Sequence, residues 1–249
     1  MSETLKPGIG GTAVYGPPAA QADLAARRSA YWQQPIQKIG KRERVLHWVM
    51  AINGIIAMIT GMGWYWKSAN FILAIFGGGE VARLIHVFTG TVFSLVALVL
   101  ICGIWWRQIL VLRKYDFVWM KTMGGYLERQ KDDEPHEHAP AGMFNAGQKM
   151  LGMTYVALAL GLLVSGVIIW WPELFPTWLT RIGLALHALC FIGFGAGLIA
   201  HVYLSTAANP GTFGAITHGK VTRLYAHSHH PEWFKELEHA ESTDEAPKH

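Results

Sequence analysis

Four stretches of this sequence are long and apolar enough to cross a lipid bilayer, and they constrain the fold more than any other feature. They run at about 45–66, 84–106, 150–171 and 182–206. A hydrocarbon core of ~30 Å takes roughly 20 apolar residues in a helix. Composition agrees: 51% of residues are hydrophobic and 15% charged, against about 25% charged in an ordinary soluble domain. The expected fold class is an all-α membrane protein, a four-transmembrane-helix bundle of two hairpins. FILAIF, at 71–76, is too short to cross and reads as an interfacial or partner-facing turn of helix.

Lysine and arginine in the short flanks set the orientation. Lys38, Lys41, Arg42 and Arg44 precede the first span. Arg107, Arg113, Lys114, Lys121, Arg129, Lys131 and Lys149 fill the connection 107–149, and Lys220 and Arg223 follow the fourth span. The opposite loops carry only Lys67, Arg83 and Arg181. Both termini are therefore expected in the cytoplasm. The net charge of +4 is mostly this asymmetry and not a nucleic-acid footprint. Cys102 and Cys190 lie inside spans and read as buried small apolar residues.

Three regions follow. Residues 1–37, rich in Gly, Pro and Ala and without the apolar core of a secretory signal, read as a flexible cytoplasmic arm. Residues 38–206 form the transmembrane domain, and 207–249 a cytoplasmic tail ending in a mixed-charge segment with a short helix. KDDEPHEHAPAG, at 131–142, reads as irregular.

Ionisable side chains inside spans are rare and usually functional. Here there are four: His47 in the first span, His86 in the second, His187 and His201 in the fourth. By depth they sort into two pairs, His86 with His187 near the external side and His47 with His201 near the cytoplasm. His187 and His201 are fourteen residues apart; that is roughly 21 Å of helix and about 40° short of four turns, so both rings face the bundle interior. Two imidazoles at each of two depths in an apolar bundle suit the axial positions of two b-type haems held between facing helices. Zinc prefers about four ligands in one place. Motifs for metalloprotease zinc, covalent c-type haem and nucleotide phosphates do not occur. Gly54, Gly90, Gly193, Gly195 and Gly197 would let helices or a flat macrocycle approach closely. A proton relay without haem would also use intramembrane histidines, but it does not explain the pairing.

ERVLHWVMAINGIIAMITG, RLIHVFTGTVF, FNAGQKM, VSGVIIWWP, LHALCFIGFGAGLIAHVYL and GTFGAITHGKVTRLYAHSHHPEWFKELE, in that order over about 36–238, resemble the cytochrome b (gamma) subunit of respiratory membrane-bound formate dehydrogenases of the N/O type. The resemblance implies a dihaem protein of the bacterial inner membrane. His86 and His187 would hold the periplasmic-side haem, and His47 and His201 the cytoplasmic-side haem. A quinone, menaquinone or ubiquinone, would be reduced beside Asn145, Gly147 and His201. Asn145 alone reads as a helix N-cap, which leaves it a shared role. The implied partners are an iron–sulfur (beta) subunit and a molybdenum- or tungsten-pterin catalytic (alpha) subunit, with a trimer of that three-subunit unit. Two cysteines exclude iron–sulfur ligation by this chain, since a cluster takes four. Nickel–iron hydrogenases carry similar cytochromes, but NAGQKM and HHPEW favour formate dehydrogenase.

The remaining polar groups have plainer readings. His136, His138, His227, His229 and His230 are expected to be solvated polar residues, with metal binding as the alternative and, for those in the tail, a proton role near the quinone. Arg44, Arg83 and Arg181 are expected to be interfacial anchors, with pairing to haem propionates as the alternative.

Overall fold

The computed structural model describes residues 18–125 and 139–243. Arg129, Lys131, His136 and His138 fall outside the described residues, as do both chain ends. Helix α1 (Pro18–Gln33) and strand β1 (Pro35–Gln37) lead into the long helix α2 (Lys41–Tyr65). A short helix, α3 (Phe71–Ile75), joins it to α4 (Gly79–Leu98), which runs on through a π-helical turn, Val99–Ile104. Helices α5 (Trp106–Ile109) and α6 (Lys114–Thr122) open the connection to the second hairpin, α7 (Ala146–Trp170) and α8 (Thr177–Thr206). Helix α9 (Thr212–Thr217), strand β2 (Lys220–Thr222), α10 (Arg223–His229) and α11 (Pro231–Ser242) follow.

The four spans are Lys41–Tyr65, Gly79–Ile104, Ala146–Trp170 and Thr177–Thr206. Each begins a turn or so before its apolar run, because a helix's first turn needs only backbone geometry and tolerates Lys41, Arg42, Glu80 or Gln148. Twenty-five residues reach about 37 Å, enough for the core. Helix α7 stops ahead of Pro172 and α8 starts after Pro176, where proline disfavours continuation of the preceding helix. Phe88, Leu189, Ile192 and Ile199 point outward and are exposed, as a lipid-facing surface requires.

Helices pack tightly within each hairpin, α2 on α4 and α7 on α8, and α4 against α7 joins the hairpins. Gly161 sets the α7–α8 approach: a Cβ there would lie 2.6 Å from Cys190 Sγ. That contact, and the burial of Cys190, bear out its reading as a packing residue, whereas Cys102 in the π-helical turn is exposed. Helices α2 and α8 make little direct contact, which leaves room between them.

Helices α1 and α11 lie on one face of the bundle, where the first and last described segments form a small platform. Strands β1 and β2 pair antiparallel with Ile36 opposite Val221. Residues 18–37, expected to be an arm, here form α1 and β1. Trp32 fixes them, its ring 5.3 Å from that of His227 and partly buried against the core. Ile39, Trp105, Phe144, Tyr225, Trp233 and Phe234 make up that core. Lys38 and Ile39 both donate backbone N–H bonds to Gly219 O, at 2.8 and 3.1 Å. Gly219 has φ +83, and a Cβ there would meet Ile39 O.

Candidate functional site

Histidines from three spans meet in the bundle as two pairs. The far pair, away from the platform, is His86 on α4 and His187 on α8, with ring centroids 6.1 Å apart. The near pair is His47 on α2 and His201 on α8, at 6.2 Å. A metal bound in line by one nitrogen of each ring, at about 2.0 Å as in first-row metal–imidazole bonds, would hold the centroids roughly 6 Å apart. Both pairs have that spacing. Among the described residues no group of three or more His, Cys, Asp or Glu side chains gathers as a metal site.

The hydrogen bonds of the far pair assign each ring's tautomer. His86 Nδ1 lies 2.9 Å from Ala57 O and 3.1 Å from Thr60 Oγ1. A carbonyl only accepts, so Nδ1 carries the proton. The Thr60 hydroxyl donates back to Ile56 O at 2.8 Å, which leaves its lone pairs for His86. His187 Nδ1 lies 2.9 Å from Ser165 Oγ, which donates to Gly161 O; Nδ1–H is again the donor. On both rings Nε2 keeps a bare lone pair. Outer hydrogen bonds of this kind orient a metal-binding imidazole and raise its basicity.

A cavity of ≈ 720 Å³ opens between the hairpins around His86 and His187, within the range of about 300–1,000 Å³ that encloses small molecules and cofactors. Its walls are mostly apolar. Arg83 lines its mouth, bonded to Glu80 at 2.9 Å and stacked over Trp170 at 5.0 Å. A Cβ at Gly61 would come within 3.1 Å of the His86 ring. Phe93 and Phe194, 4.9 Å apart, close the cavity toward the near pair.

The near pair is less provided for. His47 Nδ1 is buried with no hydrogen-bond partner among the described residues, and so is Tyr155 OH. The Tyr155 ring stands perpendicular to His201 at 6.5 Å. Two orphaned polar atoms beside two facing imidazoles, with a bare Nε2 pair and a cavity at the far site, suit a bundle that holds an apolar, metal-bearing macrocycle. The residues fit haem at both depths.

Asn145 caps α7. Its Oδ1 accepts from Gln148 N at 2.9 Å, and Gln148 Oε1 accepts from Asn145 N at 3.0 Å. The cap occupies the side-chain oxygen and leaves the amide N–H groups to offer. Gly147 sits on the same turn, and a Cβ there would strike the Trp119 ring at 2.9 Å; its smallness serves packing. His201 is brought not to this turn but to Tyr155, ten residues further along α7, about 15 Å of helix away.

Several buried polar groups lie outside the sequence expectations, among them His230, Lys38, Lys149 and Asp116. His230 is not solvated: it is 1% exposed, and Lys38, expected as a flanking charge, is 3% exposed. Lys38 Nζ lies 2.7 Å from His230 Nε2, and His230 Nδ1 lies 2.8 Å from Gly142 O. Burial pulls the Lys38 ammonium down to about 7. Lys149, also expected in the flank, is buried against Asp116 at 2.6 Å. For His230 and Asp116 the sequence signal was an aromatic neighbour, Trp233 and Trp119, which marks a segment as packed. His227 and His229 are also engaged, the latter stacked on Tyr225 at 4.3 Å. Arg44 anchors the end of α9 through Thr217 O at 2.7 Å.

Residues 38–219 match the family model of prokaryotic cytochrome b561. The formate dehydrogenase cytochrome b556(fdo) subunit of Escherichia coli K12 is 29% identical over 198 residues, 78% of this chain and 90% of that protein. The nitrate-inducible cytochrome b556(Fdn) subunit of the same strain is 29% identical over 207 residues, 82% and 92% of the two chains. The formate dehydrogenase cytochrome b556 subunit of Haemophilus influenzae is 31% identical over 196 residues, covering 78% and 79%.

Proposed function

The chain belongs to the prokaryotic cytochrome b561 family, and from that premise we propose that it is the dihaem cytochrome b subunit of a respiratory formate dehydrogenase. The relatives named above are formate dehydrogenase subunits. The observation that carries the two-haem reading is the pair of imidazole pairs at one spacing, 6.1 and 6.2 Å, at two depths. His86 and His187 hold the haem on the far, periplasmic side. His47 and His201 hold the second, on the cytoplasmic side with the termini. Formate is oxidised on a molybdenum- or tungsten-pterin subunit, and an iron–sulfur subunit passes the electrons on.

Bound haem supplies reversible one-electron storage at each depth. The chain supplies the rest. Thr60, Ala57 and Ser165 hold the far imidazoles with Nε2 forward. Apolar walls keep water from the cavity, and Phe93 and Phe194 lie between the two depths. The half-buried Asn145 amide at the terminal face would bind a quinone carbonyl. Quinone takes two electrons from the near side and two protons from the cytoplasm, so turnover moves negative charge inward.

The test is a reduced-minus-oxidised visible spectrum with a pyridine haemochrome assay on the purified chain. Two b-type haems per chain are expected, falling to one in His86→Ala and in His47→Ala. A folded chain with no haem would leave a haem-free proton relay in its place. Co-purification with a pterin subunit, not a nickel–iron one, tests the assignment to formate dehydrogenase.

A further inference from the structure

Resting on the quinone reading of Asn145, we propose that Lys38, His230 and the Gly142 carbonyl form a clamp that positions the Asn145 turn for acceptor binding. Three distant segments converge on it. Lys38 follows β1, His230 joins α10 to α11, and Gly142 lies three residues before Asn145.

The hydrogen bonds run in one direction. His230 Nδ1 donates to Gly142 O at 2.8 Å, so Nε2 must accept, and Lys38 Nζ donates to it at 2.7 Å. The ammonium also lies 5.7 Å from the Tyr225 ring centroid and 5.6 Å from that of Trp233, within reach of cation–π attraction. A neutral Lys38 amine would still donate, so the clamp holds in either charge state. A second bond grips the same stretch: Glu232 N donates to Ala141 O at 3.1 Å. Phe144, 5.1 Å from Trp105, fixes the next part. Asn145 is thus reached through a segment whose carbonyls are tied to the tail and, through Lys38, to the start of the membrane domain. A buried lysine and a buried histidine are costly unless each satisfies the other. A plain tether between these segments would need neither.

The test uses the full chain in its membrane with haem reduced by dithionite, reoxidised by a water-soluble naphthoquinone in stopped flow. Lys38→Met should raise the half-saturating quinone concentration about fivefold or more. Haem content, haem potentials and the rate at saturation should stay at wild-type values, and Lys38→Arg should restore tight binding. Should Lys38→Met fail to accumulate, His230→Asn is read in the same assay with the same expectation. An unchanged half-saturation, or one that rises only in step with haem loss, overturns the clamp. Wild-type haem that quinone does not reoxidise instead overturns the quinone reading on which the clamp rests.

Discussion

Ser165 is a single hydroxyl placed to tune the proposed far haem site. In the helix interior it bonds its own Gly161 carbonyl, a common habit of serine in apolar helices, and its lone pair is then offered to His187 Nδ1–H at 2.9 Å. On the proposed two-haem reading, that bond would give the ring more imidazolate character and so favour the oxidised form of a haem iron held there. Ser165→Ala removes it at a cost of about 0.5–1.5 kcal/mol. With a tenfold change in equilibrium equal to 59 mV for one electron, the midpoint potential of the proposed far haem should rise by up to about 20–65 mV. Optical redox titration measures this, with the near haem as internal control. Equal shifts at both haems would mean that Ser165 acts through general packing. Among the described residues no serine hydroxyl bonds the His201 ring, so on the proposed reading the two sites are expected to differ in potential although each offers a pair of histidines.

Among the elements, α6 and α7 depend on one buried ion pair. Asp116 on α6 takes Lys149 Nζ at 2.6 Å and the Arg113 backbone N–H at 2.7 Å, and Lys149 also donates to Val111 O at 3.1 Å. Asp116→Ala would strand a buried cation, which costs about 3–5 kcal/mol. A marked drop in melting temperature in detergent is expected, with most of it recovered by Asp116→Leu combined with Lys149→Met. An additive double mutant would show that the two residues act independently. This pair also marks where the sequence stopped being legible. The four spans were plain because every residue of a span answers to one solvent, lipid, and the histidines stood out against it. Depth then paired them, since each hairpin reverses the chain once. Lys38 and Lys149 were hidden because a lysine near a span end looks the same whether it anchors at an interface or folds under a platform. Their partners, His230 and Asp116, are 192 and 33 residues away, beyond any local pattern. Trp32 and Ile36 were likewise masked by the glycine- and proline-rich residues before them.

The whole molecule is asymmetric across the membrane. Among the described residues, one face carries the platform made from α1, β1, α9, β2, α10 and α11, together with α5, α6 and the cap of α7, and the other carries only α3 and two short turns. Lysine and arginine follow the same division, and such a bias sets orientation during insertion. The heavy face is therefore expected to be cytoplasmic; on the proposed function that would put His47, His201 and Asn145 toward the cytoplasmic proton supply and His86 and His187 toward a periplasmic donor. Two single-cysteine chains test this, with Cys102 and Cys190 replaced by alanine. Ser68→Cys, exposed beside α3, should react with a membrane-impermeant maleimide in intact cells. Ser242→Cys, exposed at the end of α11, should react only after the inner membrane is opened. Reversed labelling would put quinone reduction on the periplasmic side. Electrons delivered there would cross no membrane between donor and acceptor, and the two-depth arrangement of histidines would then need a different explanation from charge separation.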